Sequence, residues 1–152
     1  MNALVMYDST YGITEEIAQE ITDVLSERGS VRLLRVNKVQ LSDLEEVDVL
    51  VLGCPTYKRK PTAAVLAFLD SVSKRSLEGI SAAAFDTRCR RPWLLTGSAA
   101  RRVLKRLREA GADVETPAES FFLTSREGPL EEGESGRAAD WALQILNTLD
   151  QL

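Results

Sequence analysis

The chain has 152 residues, with 23 acidic and 19 basic side chains, two cysteines and no histidine. That length suits one domain, residues 1–152, and leaves little room for a second. The missing histidine removes the commonest zinc, haem and non-haem iron ligand and the usual general base of hydrolase triads, so chemistry is left to carboxylates, thiols, hydroxyls, backbone amides or a bound cofactor.

In chain order, Ala3 to Tyr7 is an unbroken apolar run, too short for a buried helix and followed at once by small polar residues and Gly12. It predicts a strand buried on both faces. After Thr14 the apolar residues Ile17, Ala18, Ile21, Val24 and Leu25 recur at a helical period, with Glu15 and Glu16 in the first turn and Gly29 past the end. Val31 to Val36 and Asp48 to Gly53 predict the second and third strands, and Leu41 to Val47 between them is too short and acidic to assign. Pro61 suits the first turn of a helix that carries Val65, Leu66, Phe68, Leu69 and Val72. Ile80 to Phe85 predicts a fourth strand, built largely from small residues. Ser98 reads as the N-cap of a helix with Val103, Leu104 and Leu107 inward and Gly111 as its stop. Ser120 to Thr124 predicts a fifth strand, and Ala138 to Leu149 a last helix with Trp141, Ile145 and Leu149 on one face.

Strands alternating with helices imply a parallel sheet covered by helices on both faces, a three-layer α/β sandwich. Five strands in this length favour the doubly wound order 2-1-3-4-5 over a larger dinucleotide fold. No apolar run approaches the roughly 20 residues of a membrane span, and the N-terminus lacks the basic and then apolar pattern of a leader, which points to the cytoplasm. Cys54 and Cys89 are expected as free thiols, being too few to frame a secreted mini-protein.

The net charge of −4 conceals its distribution: residues 1–57 carry 4 basic and 10 acidic groups, residues 58–108 carry 13 and 3, and residues 109–152 carry 2 and 10. The middle third is a basic block.

In an open parallel sheet the ligand crevice lies at the carboxyl ends of the strands, at the switch point between the first and third. The loop Asp8-Ser9-Thr10-Tyr11-Gly12-Ile13-Thr14 offers three hydroxyls and a run of backbone amides at a helix N-terminus, which suits a phosphate monoester. No Lys or Arg lies in it, so neutral donors would carry the binding. A capped Ser/Thr-rich turn without a ligand is the alternative, and the Gly-Lys-Ser/Thr ending of a Walker motif is missing.

The stretch Tyr7-Asp8-Ser9-Thr10-Tyr11-Gly12-Ile13-Thr14-Glu15 resembles the phosphate loop of the flavodoxin family, in which hydroxyls, a glycine and a closing threonine cradle the phosphate of FMN. Its Tyr-Asp-Ser opening is similar to the flavodoxin module of flavodiiron proteins. Ile13 departs from the asparagine usual before the closing threonine. The segment Gly53-Cys54-Pro55-Thr56-Tyr57 resembles the family's second loop, which brackets the isoalloxazine ring. Pro55 stiffens the turn and Tyr57 offers a flat ring for stacking. Lys58 stands where flavodoxins commonly carry a glycine whose peptide flips, and a Cβ disfavours the positive φ such a flip requires. After the fourth strand, Asp86, Thr87 and Arg88 occupy the positions of further flavin contacts, and Trp93 either stacks on the flavin or anchors the loop. Phe-Asp-Thr-Arg, Gly97-Ser98-Ala99-Ala100 and Glu127-Gly128-Pro129-Leu130 resemble a set of bacterial flavodoxin-domain proteins.

The resemblance implies a flavodoxin-like domain that binds FMN and shuttles electrons between redox partners. The basic residues Lys58, Arg59, Lys60, Arg88, Arg90 and Arg91 would frame the flavin, select partners with an acidic docking surface and favour the reduced, anionic flavin. Arg101, Arg102, Lys105, Arg106 and Arg108 read as a solvated helix face. A monomer or weak homodimer is expected, without nucleic acid as a partner. A flavin-dependent reductase of a quinone or similar acceptor, and a flavin-free interaction module with a basic surface, are the alternatives. A phospho-receiver domain would need an acidic cluster at the end of strand three, where Gly53-Cys54-Pro55 has none.

Overall fold

The computed structural model describes residues 1–90 and 97–151. Its elements are β1 (Asn2–Tyr7), α1 (Ile13–Leu25), β2 (Ser30–Arg35), β3 (Val49–Pro55), α2 (Ala63–Ser71), β4 (Ser81–Cys89), α3 (Ala99–Glu109), β5 (Glu119–Leu123) and α4 (Glu134–Asp150). A short 3-10 turn at Val36–Lys38 follows β2, and another at Leu41–Leu44 fills part of the acidic connection that periodicity left unassigned. The five strands pair in parallel in the order β2-β1-β3-β4-β5, the flavodoxin-like doubly wound arrangement.

Alternation along the strands feeds two cores. On one face Leu4, Met6, Leu50 and Leu52 meet Val65 and Phe68 of α2 and Val103 and Leu107 of α3. On the other, Val5, Val49, Val51 and Phe85 meet Ile17 and Ile21 of α1 and Trp141 and Ile145 of α4. Phe85, Phe121 and Trp141 pack edge to face with centroids 5.8–6.2 Å apart, an arrangement that suits aromatic quadrupoles. A Cβ on Gly53 would lie 2.0 Å from the Phe85 ring, so this cluster requires glycine in β3.

Three boundaries differ from those predicted. β4 runs on through Asp86-Thr87-Arg88 to Cys89, because β5 pairs with this extension from Phe85↔Glu119 to Cys89↔Leu123. Pro61 lies outside α2, whose N-cap is Thr62 in an extended conformation. α4 begins four residues before the predicted Ala138, because the buried Glu134 accepts a hydrogen bond from the Phe122 amide and ties the first turn to β5. No helix among the described residues is long and apolar enough to cross a membrane.

Candidate functional site

The chain leaves β1 and β3 at the same edge of the sheet. The Asp8 amide donates to the Gly53 carbonyl at 3.0 Å, and the Thr56 amide donates to the Thr87 carbonyl at 2.9 Å. Between these crossings lies a cleft of about 290 Å³ lined by residues of all three loops read in the sequence.

Its first wall is the β1–α1 turn. The Ser9 hydroxyl accepts from the Gly12 amide at 2.9 Å and keeps its own proton to donate. Gly12, at φ 83, takes the left-handed conformation that a side chain disfavours, and a Cβ there would meet no atom within 4 Å. The space above the loop is therefore open. α1 begins at Ile13, which leaves the first amides of the helix without helical acceptors. Tyr7 Oη donates to Glu15 Oε1 at 2.7 Å, which ties one of the two first-turn carboxylates to the sheet. That hydrogen bond, followed by burial, raises the Tyr7 phenol above its ordinary value. Arg35 reaches Asp8 Oδ1 at 3.2 Å and the Ser9 carbonyl at 3.0 Å and braces the loop from β2.

The second wall carries Pro55, Thr56, Tyr57 and Thr62, and the third carries Thr87, Arg88 and Cys89. The Thr14 and Thr87 hydroxyls are buried and 2.9 Å apart, a direct contact between the first and third loops. Thr56 Oγ1 accepts from the Ala99 amide at the start of α3. Tyr57 is half exposed, with the Lys58 ammonium 5.5 Å and the Arg126 guanidinium 4.9 Å from its ring centre.

Of the residues singled out in the sequence, Ser9, Thr10, Tyr11, Ile13, Thr14, Pro55, Thr56, Tyr57, Thr87 and Arg88 line the cleft, and Gly12 shapes its first wall. Asp86 does not line it. It is fully buried behind the wall, where its Oδ2 accepts from Ser98 Oγ at 2.7 Å and the Ala100 amide at 3.0 Å and caps α3. Lys58 is also absent from the lining: Tyr57 and Lys60 exchange backbone hydrogen bonds, and Lys58 and Arg59 form the two-residue turn between them at φ 49 and 67. A side chain thus occupies the positive-φ position that the sequence reading treats as unfavourable. Trp93 and Arg91 lie outside the described residues.

Two predicted rim charges are engaged elsewhere. Arg88 is 12 % exposed and donates to Ser120 Oγ, and Arg90 forks onto Glu131 at 3.0–3.1 Å. The sequence reading missed Thr62, Cys89, Leu123 and Arg126 as lining residues. Thr62 Oγ1 is buried without a hydrogen-bond partner among the described residues and does not cap its own helix, a circumstance periodicity does not reveal. Cys89 and Leu123 reach the cleft through the β4 extension and its pairing with β5.

The chain is similar to known proteins in sequence and in fold. A flavodoxin of Clostridium saccharobutylicum is 29 % identical over 89 residues, a match spanning 57 % of this chain and 56 % of that protein. The structure of Flavodoxin 1 from Bacillus cereus superposes with a TM-score of 0.81 at 23 % identity, covering 97 % of this chain and 98 % of that one. The rubredoxin oxygen:oxidoreductase of Desulfovibrio gigas superposes with a TM-score of 0.79 at 16 % identity, over 99 % of this chain and 36 % of that one. With the flavodoxin family model matching residues 5–141, the chain belongs to the flavodoxin family, whose members bind FMN as cofactor.

Proposed function

We propose that the cleft holds FMN and that the chain works as an electron carrier between redox proteins. The observation that carries this reading is one shared cleft. The unpaired amide end of α1 and the Ser9 and Thr10 hydroxyls stand on one wall, and the half-exposed Tyr57 ring stands on another.

The residues present fit the cofactor. A phosphate would meet neutral donors: the Ser9 and Thr10 hydroxyls and the amides from Ile13 onward, aided by the positive end of the α1 dipole. The open space above Gly12 leaves room for it. Tyr11 and Tyr57, each half exposed, are the flat surfaces available to the ring system, and Pro55, Leu123 and Cys89 contribute apolar wall that limits water. Thr62 Oγ1 is a donor with no partner among the described residues, which a carbonyl or ring nitrogen of the ligand would satisfy. Bound FMN supplies the redox chemistry, accepting and returning electrons. The chain's part is to bind, orient and shield it and to set the charge around it. Arg126, on the cleft lining beside the Tyr57 ring, makes that charge positive and favours partners with acidic surfaces.

Titration of the purified protein with FMN and with riboflavin, followed by flavin fluorescence, tests the reading. FMN should bind at least about tenfold more tightly than riboflavin, because only FMN meets the phosphate donors. S9A/T10A should remove most of that preference and leave riboflavin affinity unchanged. Absence of quenching, or equal affinity for the two flavins in the unsubstituted protein, would overturn it.

A further inference from the structure

We propose that the groove between α2 and α3 is the docking site for an acidic segment of a protein redox partner, a segment that carries apolar side chains among its carboxylates. The proposal rests on the electron-carrier reading and adds to it the place and chemistry of the encounter.

The groove has a volume of about 510 Å³. Pro61, Leu66 and Leu69 supply its apolar side, and Arg102, Lys105 and Arg106 its cationic side, with Glu109 the one carboxylate among the described lining residues. α3 is the most basic element of the protein, with Arg101, Arg102, Lys105, Arg106 and Arg108 in eleven residues. Arg106 pairs with the exposed Asp70 of α2 at 2.7 Å, whereas Arg102 and Lys105 pair with no carboxylate among the described residues. Two exposed cations beside the half-buried Leu66 define the complement: carboxylates to meet the charges and an apolar side chain to leave water against Leu66.

The position of the groove gives it a use. Pro61 lines the groove and its neighbour Thr62 lines the flavin cleft, so the two depressions meet at consecutive residues. The basic turn Lys58-Arg59-Lys60 stands at the same end. A Cβ on Gly97, just before α3, would lie 2.6 Å from Arg59 Cβ, which shows how closely the turn and the start of α3 approach. A segment seated in the groove therefore holds its own protein at the mouth of the cleft. The apolar side argues for a protein rather than a nucleic acid. A phosphate backbone would bury nothing against Leu66, and none of the described lining residues is an aromatic on which bases could stack. A small, charged, partly apolar contact also matches the transient encounters of redox proteins.

Amide chemical-shift mapping on the full chain, with and without FMN, tests the assignment. The probes are a short synthetic peptide of aspartates, glutamates and three leucines, the same peptide with serine for leucine, a lysine–leucine peptide and oligothymidylate. The acidic leucine peptide should shift amides within 61–69 and 102–109, and added salt should weaken it. R102E/K105E should weaken it by about tenfold or more, as should serine for leucine by about fivefold or more. R102Q/K105Q should give an intermediate loss, Q144E on the helix at the opposite face of the sheet should have no effect, and thermal melts should show all variants folded. The proposal is overturned if no probe shifts these amides, if the arginine–lysine variants or the serine peptide bind as tightly, or if oligothymidylate or the lysine peptide binds there equally well. Failure of FMN to bind would remove the carrier reading, while the peptide shifts decide the groove independently.

Discussion

The Arg126 guanidinium lies 4.9 Å from the centre of the Tyr57 ring, so a side chain from the loop after β5 touches the aromatic residue that follows β3. Both line the cleft, and Arg126 pairs with no carboxylate among the described residues. It is therefore a positive charge held beside the proposed flavin site by a ring.

Neutralising that charge should make the bound cofactor harder to reduce. A solvated charge worth about 0.5 kcal/mol corresponds to roughly 20 mV per electron. Spectroelectrochemical titration of FMN-loaded R126Q should thus show a midpoint lower by that order, with a smaller salt dependence than in the unsubstituted protein. An unchanged midpoint at low salt would show that Arg126 leaves the site when FMN enters.

The two thiols should differ sharply. Cys54 is fully buried, and burial, with the Asp86 charge second, pushes its thiol up to about 12. Cys89 is half-buried and on the cleft lining. At neutral pH a thiol reagent should label Cys89 alone in the native protein and both cysteines after unfolding. Added FMN should slow the labelling of Cys89, as read by mass spectrometry.

Glu134 and Arg137 should make stability fall at acid pH. Glu134 accepts from Arg137 Nε at 2.8 Å and from the Phe122 amide at 2.7 Å. These bonds, Arg137 first, hold its carboxyl below the usual value against the opposing effect of burial. A lowered folded value means that the contribution is complete above the unfolded value, about 4.3, and is lost as pH falls through the folded one. E134Q should cost about 2 kcal/mol at neutral pH. In denaturant unfolding the gap between E134Q and the unsubstituted protein should close progressively below about pH 5.

The Lys58-Arg59 turn should be improvable. Two consecutive side chains at positive φ are costly, and Asn-Gly is the preferred pair for such a turn. K58N/R59G should stabilise the fold by about 1 kcal/mol and raise the melting temperature by about 3 °C in calorimetry.

All five strands and all four long helices of the described chain are legible in the sequence, because each repeats one residue pattern locally. Ala3 to Tyr7 is apolar throughout since both faces of β1 are covered, and Val103, Leu104 and Leu107 recur at the helical period since one face of α3 is. The Ser9-to-Thr14 loop is legible for the same reason: its hydroxyls and glycine are contiguous, and their chemistry is set by a turn into a helix. Tertiary structure alone decides the rest. Asp86 stands beside cleft residues in sequence yet faces α3, because the start of that helix offers a hydroxyl and an amide to its Oδ2, while Arg88 stands 3.8 Å from its Oδ1. Arg88 lines the cleft yet is held by Ser120 and Asp86, and Arg90 is drawn to Glu131, where β4 pairs with β5. Thr62, Leu123 and Arg126 are distant from Ser9 along the chain and join it at the cleft only by way of the β4 extension and the packing of α2. Local pattern determined the fold and the hydroxyl-rich turn into α1; the net charge at the cleft, and the groove beside it, depended on which distant partner each side chain met.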